Sequence, residues 1–476
     1  MKEINIISSV SAIIITLVLS LIFLIIGFYF SKKKFGLNSY LVANRNIKTF
    51  SLTCSFVSSA LGAWILFGPA SAATWGGIGA VIGYALGTAF PLFILIFLGD
   101  KIRKFHSKGK TLIEVIRLRF GNKLFKLIFF LSIFYMTIFL IAEVTAVSIL
   151  IKYVSGTDLW ITSLIVILSS VTYTLYGGLR ATIFTDNIQF IFFCLLLLIG
   201  FSYIISLNSA EFNFKFINKN KPSLLDQEYI PNYTAGLTFF IAVAATNLFH
   251  QGNWQRVYAA KDNRILKNSL IISFLIILPI VFIMGFSGLV AVSKDINVNP
   301  DLAFFSLLLI DQTTLLSILI LILAISLTIS SIDTLINAIS SLIIVDGKKT
   351  IKLNLDYFKL SKQVVIFLAV ITFFISSKGL SILYLFLLAD LFCCSAVLTV
   401  FYSFYNNTIK EKSAHTSIII GLTIGLLLFP SPDFSKSILI GILFPIELFP
   451  QFIVNSLLFA SFLSATFFPL LTWKIK

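Results

Sequence analysis

Charged residues are scarce. They make up 12% of the 476 residues, against roughly 25% in soluble globular chains. Four cysteines (Cys54, Cys194, Cys393, Cys394) lie in or beside apolar runs, which excludes a disulfide scaffold. Only three histidines occur, widely separated, so no transition-metal site is expected. No nucleophile–base constellation stands out, and neither an enzyme activity nor an organic cofactor is expected. The chain is rich instead in apolar sequence, with 58% hydrophobic residues and a mean hydropathy of +1.00. Apolar runs near 20 residues recur from end to end, the pattern of an all-α polytopic membrane protein embedded in a lipid bilayer. The short alternating segments of a β-barrel do not occur.

The runs predict 13 transmembrane helices, at 6–30, 51–72, 75–99, 124–151, 158–176, 182–206, 234–252, 267–293, 313–345, 363–377, 380–404, 416–430 and 451–473. The first is too long for a signal-peptide core, and no small-residue cleavage site follows it. Residues 437–449 are apolar but interrupted by Pro445 and bounded by Pro450, and read as a loop or re-entrant piece. With the N-terminus outside, the cytoplasmic loops are 31–50, 100–123, 177–181, 253–266, 346–362 and 405–415, plus the tail. That face holds 28 of the 36 lysines and arginines and the outer face eight, so the C-terminus is cytoplasmic. The net charge of +16 is then a matter of topology and attraction to anionic lipid, not of nucleic-acid binding. The longest polar stretch, 207–233, is too short to bury a core, so function must lie within the membrane or at its mouths.

Carboxylates inside a bilayer are costly and call for a function. Glu143, Asp186, Asp333 and Asp390 are the candidates. Asp186 can also be read as a charge that favours a helix N-terminus. Asp333 sits with Ser330, Ser331 and Thr334 on one helical turn, a cluster of hard oxygens suited to an alkali cation, though small polar residues also pack membrane helices. Glu143 either lines a solute cavity or pairs with a neighbouring helix. Asp390 reads as a structural acceptor. His250 and Trp254 are accounted for by a satisfied histidine and an interfacial aromatic. The second span is rich in small and hydroxylic residues, then meets Gly68-Pro69. Proline removes a backbone donor, so this helix is either merely kinked or unwound with carbonyls free for a cation.

Several segments carry a family likeness: Ser39–Arg45, Lys110–Gly121, Tyr176–Ala181 with Thr185-Asp186-Asn187-Ile188-Gln189, Gln251–Asp262, and Ser330-Ser331 with Asp333. In order and across most of the chain, they resemble the sodium:solute symporter family, and the first core helix resembles its sodium/proline branch. The resemblance implies a LeuT-like fold: an extra N-terminal helix (1–30), a cytoplasmic loop (31–50), a first five-helix repeat (51–206), an extracellular loop (207–233), a second, inverted repeat (234–404) and two C-terminal helices (405–476). It implies a sodium site built from the carbonyls of Ser58, Leu61 and Leu327 and the hydroxyls of Ser330 and Ser331. A second cation or proton site would use Asp186, Asp333 and Thr334, with Ser330. Ala60, Trp64, Glu143, Ala244, Asn247 and Leu248 would line the solute cavity.

Ala60 stands where proline-type members carry a carboxylate, and Ala244 and Leu248 where they carry aromatics, so a different solute is implied. The activity implied is import of a small polar organic solute into the cell, across its inner membrane, with sodium as the coupling ion. A proton-coupled or sodium-independent transporter, a membrane sensor and a channel are the alternatives.

Overall fold

The computed structural model describes residues 4–31, 36–206, 214–295, 297–309, 313–351, 355–432, 434, 437 and 451–472. Nearly all of them are helical, and no β-strand occurs among the described residues. In chain order the helices are α1 (Ser9–Ser31), α2 (Leu37–Val42), α3 (Thr49–Ala60), α4 (Gly68–Phe105), α5 (Leu112–Phe120), α6 (Asn122–Ser155), α7 (Leu159–Ser206), α8 (Phe214–Asn220) and α9 (Ile230–Phe249). They continue with α10 (Gln251–Ala259), α11 (Asn263–Lys294), α12 (Ala303–Leu308), α13 (Thr314–Ile351), α14 (Tyr357–Ser376), α15 (Ile382–Tyr402), α16 (Glu411–Leu428) and α17 (Gln451–Thr472).

Eight stretches among the described residues are long and apolar enough to cross a membrane. Helices α13 and α15 are central, with 78% of each apolar window buried, whereas α14 is peripheral at 22%. Its outer face carries Ile366, Phe367 and Phe374 in the open, and α1 likewise exposes Val10 and Ile25. Surfaces of this kind belong against lipid rather than water.

The first core helix breaks before Pro69, not at it. Leu61 leaves the helical region (φ −103°, ψ 76°) and Gly62 is extended. A single 3-10 turn follows at Ala63–Leu66. Pro69 then lies in the first turn of α4, where a missing N–H costs little, so it starts a helix instead of ending one. The spans expected at 158–176 and 182–206 form the single element α7, joined at Gly178 (φ 59°, ψ −166°). The supposed loop 177–181 is thus one glycine joint, in a backbone region that side chains essentially exclude. A second break separates α9 from α10 at His250 (φ −61°, ψ 117°).

Helix α4 packs on its neighbours backbone to backbone. A Cβ on Gly79 would strike the Asn232 carbonyl oxygen of α9, and one on Gly83 the Gly236 carbonyl oxygen. A Cβ on Gly288 of α11 would strike the Ala70 carbonyl oxygen. Small residues are what permit such approach between membrane helices.

The segment Lys110–Gly121 is a joint between helices. Thr111 caps α5 by accepting from Glu114 N–H (3.1 Å), and Glu114 Oε2 accepts from Lys110 N–H (2.9 Å). Thr111 Oγ1 also donates to Asp346 Oδ2 of α13 (2.7 Å), and Leu112 N–H to Gln251 Oε1 of α10 (3.0 Å). In the polar stretch 207–233, residues 214–233 hold α8, a one-turn helix at Pro222–Leu224 and the start of α9. The re-entrant piece expected at 437–449 lies outside the described residues, except for Ser437.

Candidate ion and solute site

The break at Leu61–Phe67 faces α6 and α13. Where the helical ladder stops, the carbonyls of the last turn of α3, including Ser58 and Leu61, have no following helical amides. The amide of Ala63 is taken by Glu143 of α6, whose Oε2 accepts it at 2.9 Å. Gly62 lets Glu143 and Ser331 close in on the unwound backbone: a Cβ there would collide with both Glu143 Oε1 and Ser331 Oγ and lie 2.9 Å from Trp64 Cδ1. Ser331 is only 6% exposed, yet its Oγ has no hydrogen-bond partner. Several buried hydroxyls lack a partner among the described residues, and Ser331 is the one that also faces Gly62, Glu143 and the cavity between the helices. Ser330 Oγ donates to Asp186 Oδ1 (2.9 Å), and Ser58 Oγ to the Asp186 carbonyl (3.0 Å). Leu327 lies one turn earlier on α13, buried.

Behind this joint, Asp186 and Thr334 come together around a cation of the protein's own, with Asp333 beside Thr334. Arg256 of α10 and Asp186 of α7 are both fully buried, and Arg256 Nη2 lies 2.9 Å from Asp186 Oδ2. The same nitrogen donates to Thr334 Oγ1 (3.0 Å). Its Nε donates to the Ser55 hydroxyl (2.7 Å) and carbonyl (3.1 Å), and Nη1 to the Gly252 carbonyl (3.1 Å). Ser55 Oγ in turn donates to Asp186 Oδ2 (2.5 Å). Asp333 Oδ2 accepts from Thr185 Oγ1 (3.4 Å). Asp186 is therefore no solitary helix-terminus charge. Arg256, counted above among the cytoplasmic loop 253–266, is an interior residue. The signal that could have found it is the need of a buried carboxylate for a partner.

The second break explains the Gln251–Arg256 motif. Asn253 Nδ2 donates to the Asn247 carbonyl (2.8 Å) and Trp254 Nε1 to the Leu248 carbonyl (2.8 Å), satisfying acceptors that α9 leaves open where it ends. Trp254 is fully buried and stacks on Phe401 (5.8 Å between centroids), so it is not an interfacial aromatic. His250 is the satisfied histidine, its Nδ1 accepting from Gly252 N–H (3.1 Å).

Between the two breaks lies a cavity of about 60 Å³. That is room for roughly four to six waters, at about 10–15 Å³ each. Ala60, Trp64, Glu143 and Asn247 line it, as expected from the sequence. Ala244 and Leu248 are not among its lining residues. Helix α9 and its cap present Val243, Thr246, Asn247 and His250 instead, the i, i+3, i+4, i+7 spacing of one helical face. One residue of helical register turns a side chain by about 100°, enough to move it off the wall. Asp390, read from sequence as a structural acceptor, also lines the cavity, with Oδ1 accepting from Thr246 Oγ1 at 2.6 Å.

A model of the sodium:solute symporter family matches residues 40–421. The chain belongs to that family. A spermidine transporter of Candida albicans is 26% identical over 390 residues, which are 80% of this chain and 73% of that protein. Sodium/glucose cotransporter 4 of Danio rerio is 26% identical over 155 residues, 32% of this chain and only 23% of its own length. Among solved structures, a substrate-bound, outward-open sodium-coupled sialic acid symporter superposes with a TM-score of 0.71, covering 97% of this chain and 98% of that one at 16% identity. A nucleobase-cation-symport-1 family transporter in a closed conformation gives 0.60, with 91% and 93% covered at 14% identity. The fold is thus that of LeuT-like transporters. Membership in the family places the chain among multi-pass membrane proteins that couple solute movement to sodium, and family and fold are those of transporters.

Proposed function

We propose that the chain imports a small polar organic solute by alternating access, driven by one sodium ion held at the first break. The carbonyls of Ser58, Leu61 and Leu327 and the hydroxyls of Ser330 and Ser331 form the ion site. Neutral oxygens from an unwound segment and a facing helix can replace the water shell of sodium. The observation that carries this reading is the helix break at Leu61–Phe67 facing the buried, unpartnered Ser331 Oγ, which lies close against Gly62. Sodium bound there joins α3 to α13 and favours the state in which the two meet. Its release inward lets them part, which is coupling by differential affinity. At 100 mV each sodium supplies about 2.3 kcal/mol, on the order of 50-fold accumulation.

The two breaks, at Leu61–Phe67 and at His250, support a pair of repeats over 51–206 and 234–404, each opening with a discontinuous helix. The full set of 13 spans, the outer N-terminus and the inner-membrane location belong to this same reading. At the second constellation Arg256 supplies the positive charge, so one external sodium per cycle is the simplest stoichiometry. The solute is a small polar molecule in keeping with the relatives, one of which carries spermidine.

The test is the melting temperature of the purified protein in sodium against potassium or choline, for wild type and Ser331→Ala. A sodium-specific rise that the variant lacks is expected. A well-folded wild type indifferent to sodium would overturn the sodium site and make proton coupling the next reading.

A further inference from the structure

Two carboxylates share the solute cavity, and nothing in its wall neutralises them. Glu143 is 1% exposed and Asp390 4%. Their hydrogen bonds come from neutral donors, Ala63 N–H and Thr246 Oγ1. Neither belongs to an ion pair among the described residues. No lysine or arginine lines the cavity, and His250 uses Nδ1 as an acceptor, which an imidazolium lacks. The one buried arginine nearby, Arg256, is spent on Asp186. Ser331 Oγ, buried and unpartnered, is also part of the wall.

The remaining wall is aromatic. Trp64 stacks on Tyr84 with centroids 5.6 Å apart, and Phe139 meets Phe386 edge-on at 5.2 Å. All four rings line the cavity. Faces of this kind attract cations and offer nothing to an anion. A buried, uncompensated negative charge is costly and is relieved either by a proton or by a cation, and the aromatic wall around these two carboxylates favours a cationic occupant.

We infer that the solute is a small aliphatic amine with two cationic ends, one ammonium recognised by Glu143 and the other by Asp390, with the methylene chain against the aromatic rings. This rests on the cavity being the transport site, as proposed above. The volume agrees with it: six heavy atoms of a diaminobutane match space for roughly four to six waters. Larger polyols and sugars exceed that space.

The probes are 1,4-diaminobutane, 1-butylamine and 1,4-butanediol, which share a four-carbon chain and carry two, one and no charges. Thermal stabilisation of the full-length protein is titrated with each, in sodium and again in potassium. The expected order is diamine, then monoamine, then diol. Glu143→Gln and Asp390→Asn each keep an oxygen for their own donor. Each is expected to weaken the apparent diamine affinity by roughly 10- to 100-fold, as loss of a charged hydrogen bond does. Equal stabilisation by the diol, or no stabilisation by the diamine, overturns the inference, and the wild-type ladder decides it even where a variant fails to fold. Diamine affinity unchanged in both folded variants overturns it as well. A diamine response without any sodium response would keep the amine site and sink the sodium coupling. The reverse would do the opposite.

Discussion

Replacing Arg256 with Gln tests whether the interior is held by an internal ion pair. The guanidinium is fully buried and donates to Asp186, Thr334, the Ser55 hydroxyl and carbonyl and the Gly252 carbonyl. After Arg256→Gln, Asp186 retains only the hydroxyls of Ser55 and Ser330 as side-chain donors. Leaving one partner of a buried pair uncompensated costs about 3–5 kcal/mol. Asp186→Asn strands the arginine and should cost a similar amount. The double variant removes both charges and should be more stable than the sum of the single losses predicts, with a coupling of up to about 3 kcal/mol. Unfolding in mixed detergent–SDS micelles at fixed sodium measures all three. Arg256→Gln carries a second signature: the vacated carboxylate is open to an external cation, so its stability should rise more steeply with sodium than that of wild type. Strict additivity of the two substitutions would refute the reasoning. So would a sodium response in Arg256→Gln no steeper than the parent's.

Gly62→Ala isolates the close approach at the first break. Its φ of −78° is ordinary for alanine, so the penalty is the collision with Glu143 and Ser331, about 1–3 kcal/mol, and the sodium-dependent melting shift should vanish with it. Gly178→Ala meets both a left-handed backbone and the Tyr40 ring. It should lower the melting temperature by the equivalent of about 1–3 kcal/mol of strain, with Tyr40→Ala relieving only the contact part.

Much of the architecture was legible because the bilayer forces it: apolar runs located the long helices among the described residues, and the Ser330–Thr334 cluster stood out against an apolar helix. What could not be read locally was anything decided across helices. Pro69 looked like the breaker, but proline is equally at home at a helix start, and only the neighbouring Gly62, pressed by Glu143 and Ser331, shows where the chain unwinds. Arg256 sat in a polar stretch and was counted by charge alone, although its partner Asp186 is 70 residues away in the chain. Asp390 and Glu143 looked independent, 247 positions apart by their numbers, and meet in one wall. The face that α9 turns inward depended on one step of helical register, which composition does not set.

The glycine contacts along α4 have a consequence for motion. Side chains at a helix interface can swing to new rotamers as the helices slide, but backbone pressed on backbone has no such slack. Helix α4 itself bends at Gly77 (φ 58°, ψ −154°); Gly79 and Gly83 press its later part on α9, and α11 meets both parts, through Gly288 at Ala70 and Gly285 at Val81, so the three helices form one block. An alternating-access stroke has to swing that block as a unit against the helices on its far side, α6, α13 and α15. The first break, the ion site and the solute cavity all lie along that seam, so whatever occupies them sits where the two bodies part.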